Sequence, residues 1–316
     1  MNNCTALVAV IFLCGCMSLD PFLFSGEKLD GYMFDAYTGE QECSDAVDSL
    51  DAYRQSGLVA HFEQSYIHQF TLSSSGETIA AVLLAADTVL APQDTIIVYF
   101  HGKGPHIDYY WPRIRLLFAT GYPVLAIDYQ GFGMSTGTPD ENALYSDGQC
   151  AIDYCAENLG NPVVVVYGFS LGSMVACEIT ARSGNTSIAR LVLECPLSSV
   201  ETILDDAAYL NLPGQYVTTY DGDNRKKIRS VTQPFFWLHG TEDETLARET
   251  QGQPVWNNYA GGSGVYIKAV GATHRTVPQT TGYLRYVSAV KHFIRTGSAE
   301  EFPVIFADAA NVEWGN

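Results

Sequence analysis

The chain has 316 residues, nearly half of them hydrophobic, enough to bury the core of one large α/β domain or two smaller ones. Its 35 acidic residues outnumber 17 basic ones, and the formal charge of -18 sets aside nucleic-acid partners, which would approach against that field. Acidity of this kind otherwise serves solubility.

Residues 1–15 read as a signal peptide. The run Ala6-Leu7-Val8-Ala9-Val10-Ile11-Phe12-Leu13-Cys14 has signal-peptide length and is too short to span a bilayer. It ends in Leu13-Cys14-Gly15-Cys16, which resembles the bacterial lipobox, whose cysteine is lipidated and becomes the mature N-terminus. That resemblance implies lipidation of Cys16 and a membrane partner in the cell envelope. No Lys or Arg precedes the run, so the α-amino group alone supplies its positive end. An uncleaved signal anchor is the competing reading, since Pro21-Phe22-Leu23-Phe24 adds apolar bulk, although Asp20-Pro21 interrupts it.

Of eight cysteines, Cys4 and Cys14 leave with the signal peptide and Cys16 takes the lipid. Cys43, Cys150, Cys155, Cys177 and Cys195 remain, an odd number that leaves at least one thiol unpaired. Cys150 and Cys155 fall in one helix, where their spacing already rises about 7.5 Å, too far for an unstrained bridge. Cys177 and Cys195 sit in apolar stretches and read as small buried hydrophobes. No metal-ligand spacing occurs, and no cofactor is implied.

Residues 16–60 read as a polar, irregular tether with a short helix over 44–55. Two strands follow over 61–72 and 77–85, joined at Ser73-Ser74-Ser75-Gly76. Thr95–Phe100 is continuously apolar, a buried strand that ends in His101-Gly102-Lys103-Gly104. Apolar positions at Ile107, Tyr110, Trp111, Ile114, Leu117 and Phe118 then mark a helix. Residues 123–128 form a strand opening into Tyr129-Gln130-Gly131-Phe132-Gly133-Met134-Ser135, and residues 142–159 a helix. Buried strands recur at 162–167, 188–194, 234–238 and 265–270, and a helix over 281–295 closes the chain. Residues 198–228, polar and broken at Pro213-Gly214, are too long for a plain connection and read as a lid insertion. Strands alternating with helices predict an α/β fold: a doubly wound, mostly parallel sheet covered on both faces, in one domain over 61–316.

Gly168-Phe169-Ser170-Leu171-Gly172 lies between the strand at 162–167 and a helix over 173–182. Strand, Gly-x-Ser-x-Gly and helix together are the context of a nucleophile elbow. A serine on so sharp a turn takes strained backbone angles, and its flanking glycines let strand and helix approach closely. A serine hydroxyl needs a base to take its proton. In an elbow enzyme the acid and the histidine come later in the chain, each in a loop after a strand. Asp243, in His239-Gly240-Thr241-Glu242-Asp243, and His274, in Gly271-Ala272-Thr273-His274, meet that order, at the strand ends where open α/β sheets bind ligands. His101 and His239 read as supports of their turns. Glu194 also ends a strand and competes with Asp243 for the acid. A tetrahedral oxyanion needs backbone donors. The N–H of Leu171 is one candidate, and the N–H of Lys103, between two glycines, is the other.

With these residues assembled, the sequence resembles the α/β-hydrolase superfamily. More narrowly, it resembles the compact branch of serine-aminopeptidase-like proteins and α/β-hydrolase-domain esterases and depalmitoylases. The resemblance runs from about residue 60 to 296. It is carried by the 101–104 and 128–135 loops, the elbow, Leu193-Glu194-Cys195-Pro196-Leu197-Ser198-Ser199, Asp223-Asn224-Arg225-Lys226-Lys227-Ile228, and the Asp243 and His274 loops. It implies Ser170 as nucleophile, His274 as base and Asp243 as acid, acting on a small-molecule ester-type substrate by acyl transfer to water. Gln130 and Phe132 in the Asp128 loop, and Arg275 beside the histidine, depart from the family pattern without removing a catalytic group. A catalytically silent hydrolase-fold binding module of the envelope is the reading from another class, because a fold alone does not prove activity, and a peptidase is the other alternative.

Overall fold

The computed structural model describes residues 23–54, 59–182, 187–207 and 218–316. The signal segment 1–15, Cys16 and residues 208–217 of the insertion lie outside them. Strand β1 (Ile67–Ser74) pairs antiparallel with β2 (Glu77–Leu84). Six strands then run parallel to one another: β3 (Thr95–Phe100), β4 (Val124–Ile127), β5 (Val163–Phe169), β6 (Ile188–Glu194), β7 (Phe235–Gly240) and β8 (Gly264–Ala269). A short β9 (Val312–Gly315) lies antiparallel along β8. The spatial order is β1-β2-β4-β3-β5-β6-β7-β8-β9, with β2 antiparallel to β4.

Ten α-helices are described: α1 (Gln41–Arg54), α2 (Ile107–Phe118), α3 (Glu141–Asn158), α4 (Gly172–Ala181), α5 (Val200–Ala207), α6 (Asn224–Lys227), α7 (Gly252–Asn258), α8 (Val277–Thr281), α9 (Tyr283–Thr296) and α10 (Phe302–Ile305). The continuous apolar runs of the central strands follow from helices covering both faces, since successive strand residues point to opposite sides. Ile96, Val98, Phe100, Val164 and Val166 pack on one side with Leu144 and Ile152 of α3 and Met174 and Val175 of α4. Ile97, Tyr99, Val165 and Tyr167 pack on the other with Trp111 and Ile114 of α2, Val287 and Val290 of α9, and Cys43 of α1. The doubly wound, mostly parallel sheet that the sequence predicts is therefore present.

Several local expectations change. β1 starts at Ile67 rather than near residue 61, because Gln64–Tyr66 forms a 3₁₀ turn. The hairpin turns at Ser75 and Gly76, both at positive φ (51° and 86°), as a two-residue hairpin of this hand requires. The helix read over 281–295 is α9, preceded across Gly282 (φ 87°) by the short α8 and followed by α10 and β9. Strand β9 has no counterpart among the elements read from the sequence. Residues 23–40, read as tether, pack onto the sheet's carboxyl edge. The buried Arg113 of α2 bonds Glu40 through Nε (3.0 Å) and Nη2 (2.6 Å). Pro112 cannot donate within α2. Nearby, the Glu40 N–H donates to Tyr109 O at 2.8 Å, bringing the incoming chain against the helix.

All five cysteines in the described part are free thiols. Burial pushes Cys155 and Cys177 up to about 12 and Cys150 up to about 11, so these thiols stay protonated near neutrality. No described helix is long and apolar enough to cross a membrane.

Candidate active site

Ser170 directly follows β5 and directly precedes the N-cap of α4. Its φ is +52°, in the left-handed region that strains any residue bearing a Cβ. The turn is clamped on both sides: Ser170 N–H donates to Glu194 O (3.0 Å), and Ser173 N–H donates back to Ser170 O (2.9 Å). The flanking glycines are steric necessities. A Cβ on Gly172 would lie 1.9 Å from Phe100 O, and one on Gly168 would lie 2.6 Å from Gly172 O. Strand β3 and helix α4 thus close on the elbow as tightly as backbone allows.

His274 and Asp243, which stand beyond β8 and β7, come to this serine. His274 Nε2 lies 3.0 Å from Ser170 Oγ, and His274 Nδ1 lies 2.8 Å from Asp243 Oδ2. Asp243 Oδ1 also accepts the N–H groups of Thr245 (3.0 Å) and Leu246 (2.8 Å). Burial of Asp243 works against its charge. Hydrogen bonds from His239, His274 and the Leu246 N–H outweigh that and hold its carboxyl well below the usual carboxylate range. An ionised carboxylate only accepts, so the imidazole carries its proton on Nδ1 and offers the Nε2 lone pair to the serine hydroxyl.

His239 supports its turn, as read from the sequence, and also touches Asp243 itself. The Trp237 indole N–H, a donor only, meets His239 Nδ1 at 3.1 Å, which leaves the His239 proton on Nε2. That atom faces Leu246 O at 2.9 Å and Asp243 Oδ2 at 3.1 Å. Pattern reading could not reach this contact, because it depends on how the loop after β7 folds back over its own strand.

Glu194, the competing acid, is used elsewhere. It is fully buried, accepts from Tyr167 (2.5 Å) and Tyr286 (2.9 Å), and lies 2.7 Å from Arg113 Nη1. Arg113 also stacks over the Phe169 ring, 4.1 Å from its centroid, and donates to Arg275 O at 3.3 Å. Phe169 in turn lies against the His274 imidazole, ring centroids 5.2 Å apart. A Glu40–Arg113–Glu194 cluster therefore backs the nucleophile strand and the histidine loop. Arg113, like Asp108 and Arg115, is a charged residue buried in an otherwise largely apolar helix, a faint signal for such a cluster.

The remaining candidates also find places. Leu171 is the buried N-cap residue of α4, so its N–H belongs to the helix end whose donors lack intrahelical acceptors. Lys103 is in the loop after β3, which pairs with β5 up to Phe100 opposite Gly168. A Cβ on Gly102 would touch Tyr110 Oη at 2.7 Å and Phe169 Cδ1 at 3.2 Å, so this loop lies against the elbow strand. Desolvation lowers the pKa of the Lys103 ammonium. Gln130 bonds Asp147 through its N–H (2.7 Å) and Nε2 (2.9 Å), Phe132 packs against His101 and Tyr129, and Arg275 donates to the Tyr109 hydroxyl, so all three departing residues have structural partners. Cys195, Asp243 and His274 each bring a possible ligand atom within 4.8 Å of the others. Two of these are committed to the chain that ends on Ser170, and burial holds the Cys195 thiol protonated.

The serine aminopeptidase S33 family profile matches residues 91–232, which include Ser170 and the Lys103 loop but not Asp243 or His274. Protein ABHD12B of Homo sapiens is 29% identical over 180 residues, covering 52% of this chain and 49% of its own length. The uncharacterized protein YfhR of Escherichia coli is 30% identical over 156 residues, covering 48% and 53%. The chain thus spans about half the length of these curated relatives. A solved esterase of Pyrococcus furiosus superposes with a TM-score of 0.62 at 16% identity, covering 86% of this chain and 97% of its own. The ferulic-acid complex of Est1E from Butyrivibrio proteoclasticus gives 0.57 at 17% identity, covering 72% and 98%. The chain has the α/β-hydrolase fold and is similar in sequence to proteins of that superfamily.

Proposed function

We propose that the protein is a serine hydrolase that cleaves an ester, thioester or amide by way of an acyl-enzyme. The observation that carries the reading is the unbroken chain from Asp243 Oδ2 through His274 Nδ1 and Nε2 to Ser170 Oγ, at 2.8 and 3.0 Å, ending on a serine held at positive φ.

Ser170 Oγ attacks the carbonyl carbon while His274 Nε2 takes the hydroxyl proton. The carbonyl oxygen becomes an oxyanion, met by the N–H groups of Leu171 and Lys103. As the intermediate collapses, the imidazolium gives its proton to the departing alcohol, thiol or amine, leaving acyl-Ser170. Water, deprotonated by His274, then attacks the acyl carbon, and the proton returns to Ser170 as the acid departs. Asp243 remains ionised and holds the imidazole in one tautomer while stabilising its charged form. The Lys103 and Leu171 roles are supported by the elbow context and by the loop lying against Phe169.

The esterase neighbours favour a small ester-type substrate, and Leu13-Cys14-Gly15-Cys16 supports a lipid anchor on Cys16. Ser170→Ala tests the reading. Turnover of p-nitrophenyl esters should fall by roughly three orders of magnitude or more with the fold intact. Near wild-type turnover in the alanine protein would refute it.

A further inference from the structure

The first described residues form a strap over the loops that surround the elbow. Phe24 is 2% exposed, and its ring centroid lies 4.7 Å from that of Tyr220 in the insertion. From there the main chain passes between the loops that follow β3 and β4. Glu27 N–H donates to Gly104 O (2.9 Å), while Glu27 O accepts the Gly133 N–H (2.6 Å). Leu29 N–H donates to Gly133 O (2.9 Å), and Lys28 Nζ donates to Ser135 O. One residue of the strap, Glu27, is thus shared between both loops. The approach needs glycine at position 26: a Cβ there would lie 2.5 Å from Phe132 Cγ and 2.8 Å from Gly131 O.

A second anchor lies a few residues on. The Tyr32 hydroxyl donates to Asp128 Oδ2 at 2.5 Å. Asp128 is fully buried, and its Oδ1 accepts the Ile107 N–H (2.8 Å) and lies 3.2 Å from Nε2 of His101, which opens the Lys103 loop. Asp108, buried at the start of α2, accepts the N–H groups of Met33 (2.6 Å) and Phe34 (2.8 Å). Buried carboxylates stripped of donors are unfavourable, so strap and loops hold one another in place. The Lys103 loop has glycines at 102 and 104, the latter at φ +94°, and such a loop has many conformations to lose. An oxyanion donor works only when it is already fixed where charge develops.

We propose that residues 24–34 are a positioning strap for the oxyanion loop: the Gly26–Glu27 backbone and the Tyr32–Asp128 bond fix Gly102-Lys103-Gly104 against the elbow. The proposal rests on the hydrolase reading of that site and adds a part that no catalytic motif contains.

The test uses Tyr32→Phe, which removes one hydroxyl, and Gly26→Ala, which pushes the strap off Phe132. Hydrogen exchange of the peptides covering 101–107 and 131–135 reads the loops directly. In both variants it should quicken there and stay unchanged in peptides of the central strands. In parallel, kcat should fall on the order of tenfold, below the roughly 100- to 1,000-fold of deleting an oxyanion donor outright. KM should stay within about twofold, and affinity for a trifluoromethyl ketone, which forms the tetrahedral oxyanion, should weaken by the same factor as kcat. Unchanged loop exchange overturns the strap. So does faster exchange with kcat and ketone affinity intact, which would mark a merely structural contact. A wild-type protein that turns over no ester and takes up no fluorophosphonate would instead sink the hydrolase reading, and the exchange arm would still decide whether the strap holds the loop.

Discussion

Asp243 accepts the Thr245 and Leu246 N–H groups on one oxygen and faces two histidines with the other. That setting separates it from Glu194, whose partners are Arg113 and two tyrosines. Asp243→Asn keeps the shape but favours the wrong imidazole tautomer, so turnover should drop about 10⁴-fold, the magnitude seen for that change in a serine-protease triad. Glu194→Gln should lower turnover less than about tenfold, yet reduce Tm measurably, because it takes a charge from a buried ion cluster. Kinetics and melting of both variants on one ester test the assignment, and the reverse ranking of turnover would move the acid to Glu194. The depressed pKa of Asp243 also has a sign. A carboxylate held lower in the folded than in the unfolded state stabilises the fold above its unfolded value of about 3.9, and that contribution is lost as pH falls toward the folded value. Urea unfolding at neutral pH and below pH 4 should therefore show the gap between wild type and Asp243→Asn narrowing in acid. A gap that widens would contradict the assignment.

At the level of elements, the elbow was legible because its requirements are local. Only glycine tolerates the approach of Phe100 O to position 172, and β-branched runs mark the buried strands on either side. The order of acid and histidine was legible too, since each follows a recognisable strand. The strap was not, because its contacts join residues about a hundred positions apart, 96 for Tyr32 and Asp128, and carry no periodicity. Strand β9 escaped for a different reason: four residues at a sheet edge hold too little pattern to stand out. The insertion over 198–228 bears on substrate size. Its described parts are α5 and α6, with the side chain of Asp223 capping α6. We expect an insertion so short to leave the site uncovered, so p-nitrophenyl butyrate and hexanoate should be cleaved faster than the palmitate. A rate maximum on long-chain triglyceride emulsions with interfacial activation would contradict this.

At the scale of the molecule, the parallel sheet gathers the ends of β3, β5, β7 and β8 on one edge, which is where the Lys103, Ser170, Asp243 and His274 segments meet. The strap brings residues 24–34 to that same edge. Lipidation is tested by the intact mass of the native protein. Loss of residues 1–15 with a diacyl or triacyl increment on Cys16 is expected, since one chain alone binds membranes only weakly. An unmodified Cys16 with residues 1–15 still attached would overturn it. Acyl transfer by this protein depends on Ser170 being a nucleophile, and one measurement addresses that without knowledge of the substrate. Purified protein is treated with a fluorophosphonate, digested and analysed by mass spectrometry. One adduct per chain is expected, on the peptide carrying Gly168-Phe169-Ser170-Leu171-Gly172, and it should vanish in Ser170→Ala and slow sharply in His274→Ala. No adduct on folded wild-type protein, or an adduct that persists in Ser170→Ala, would contradict the account.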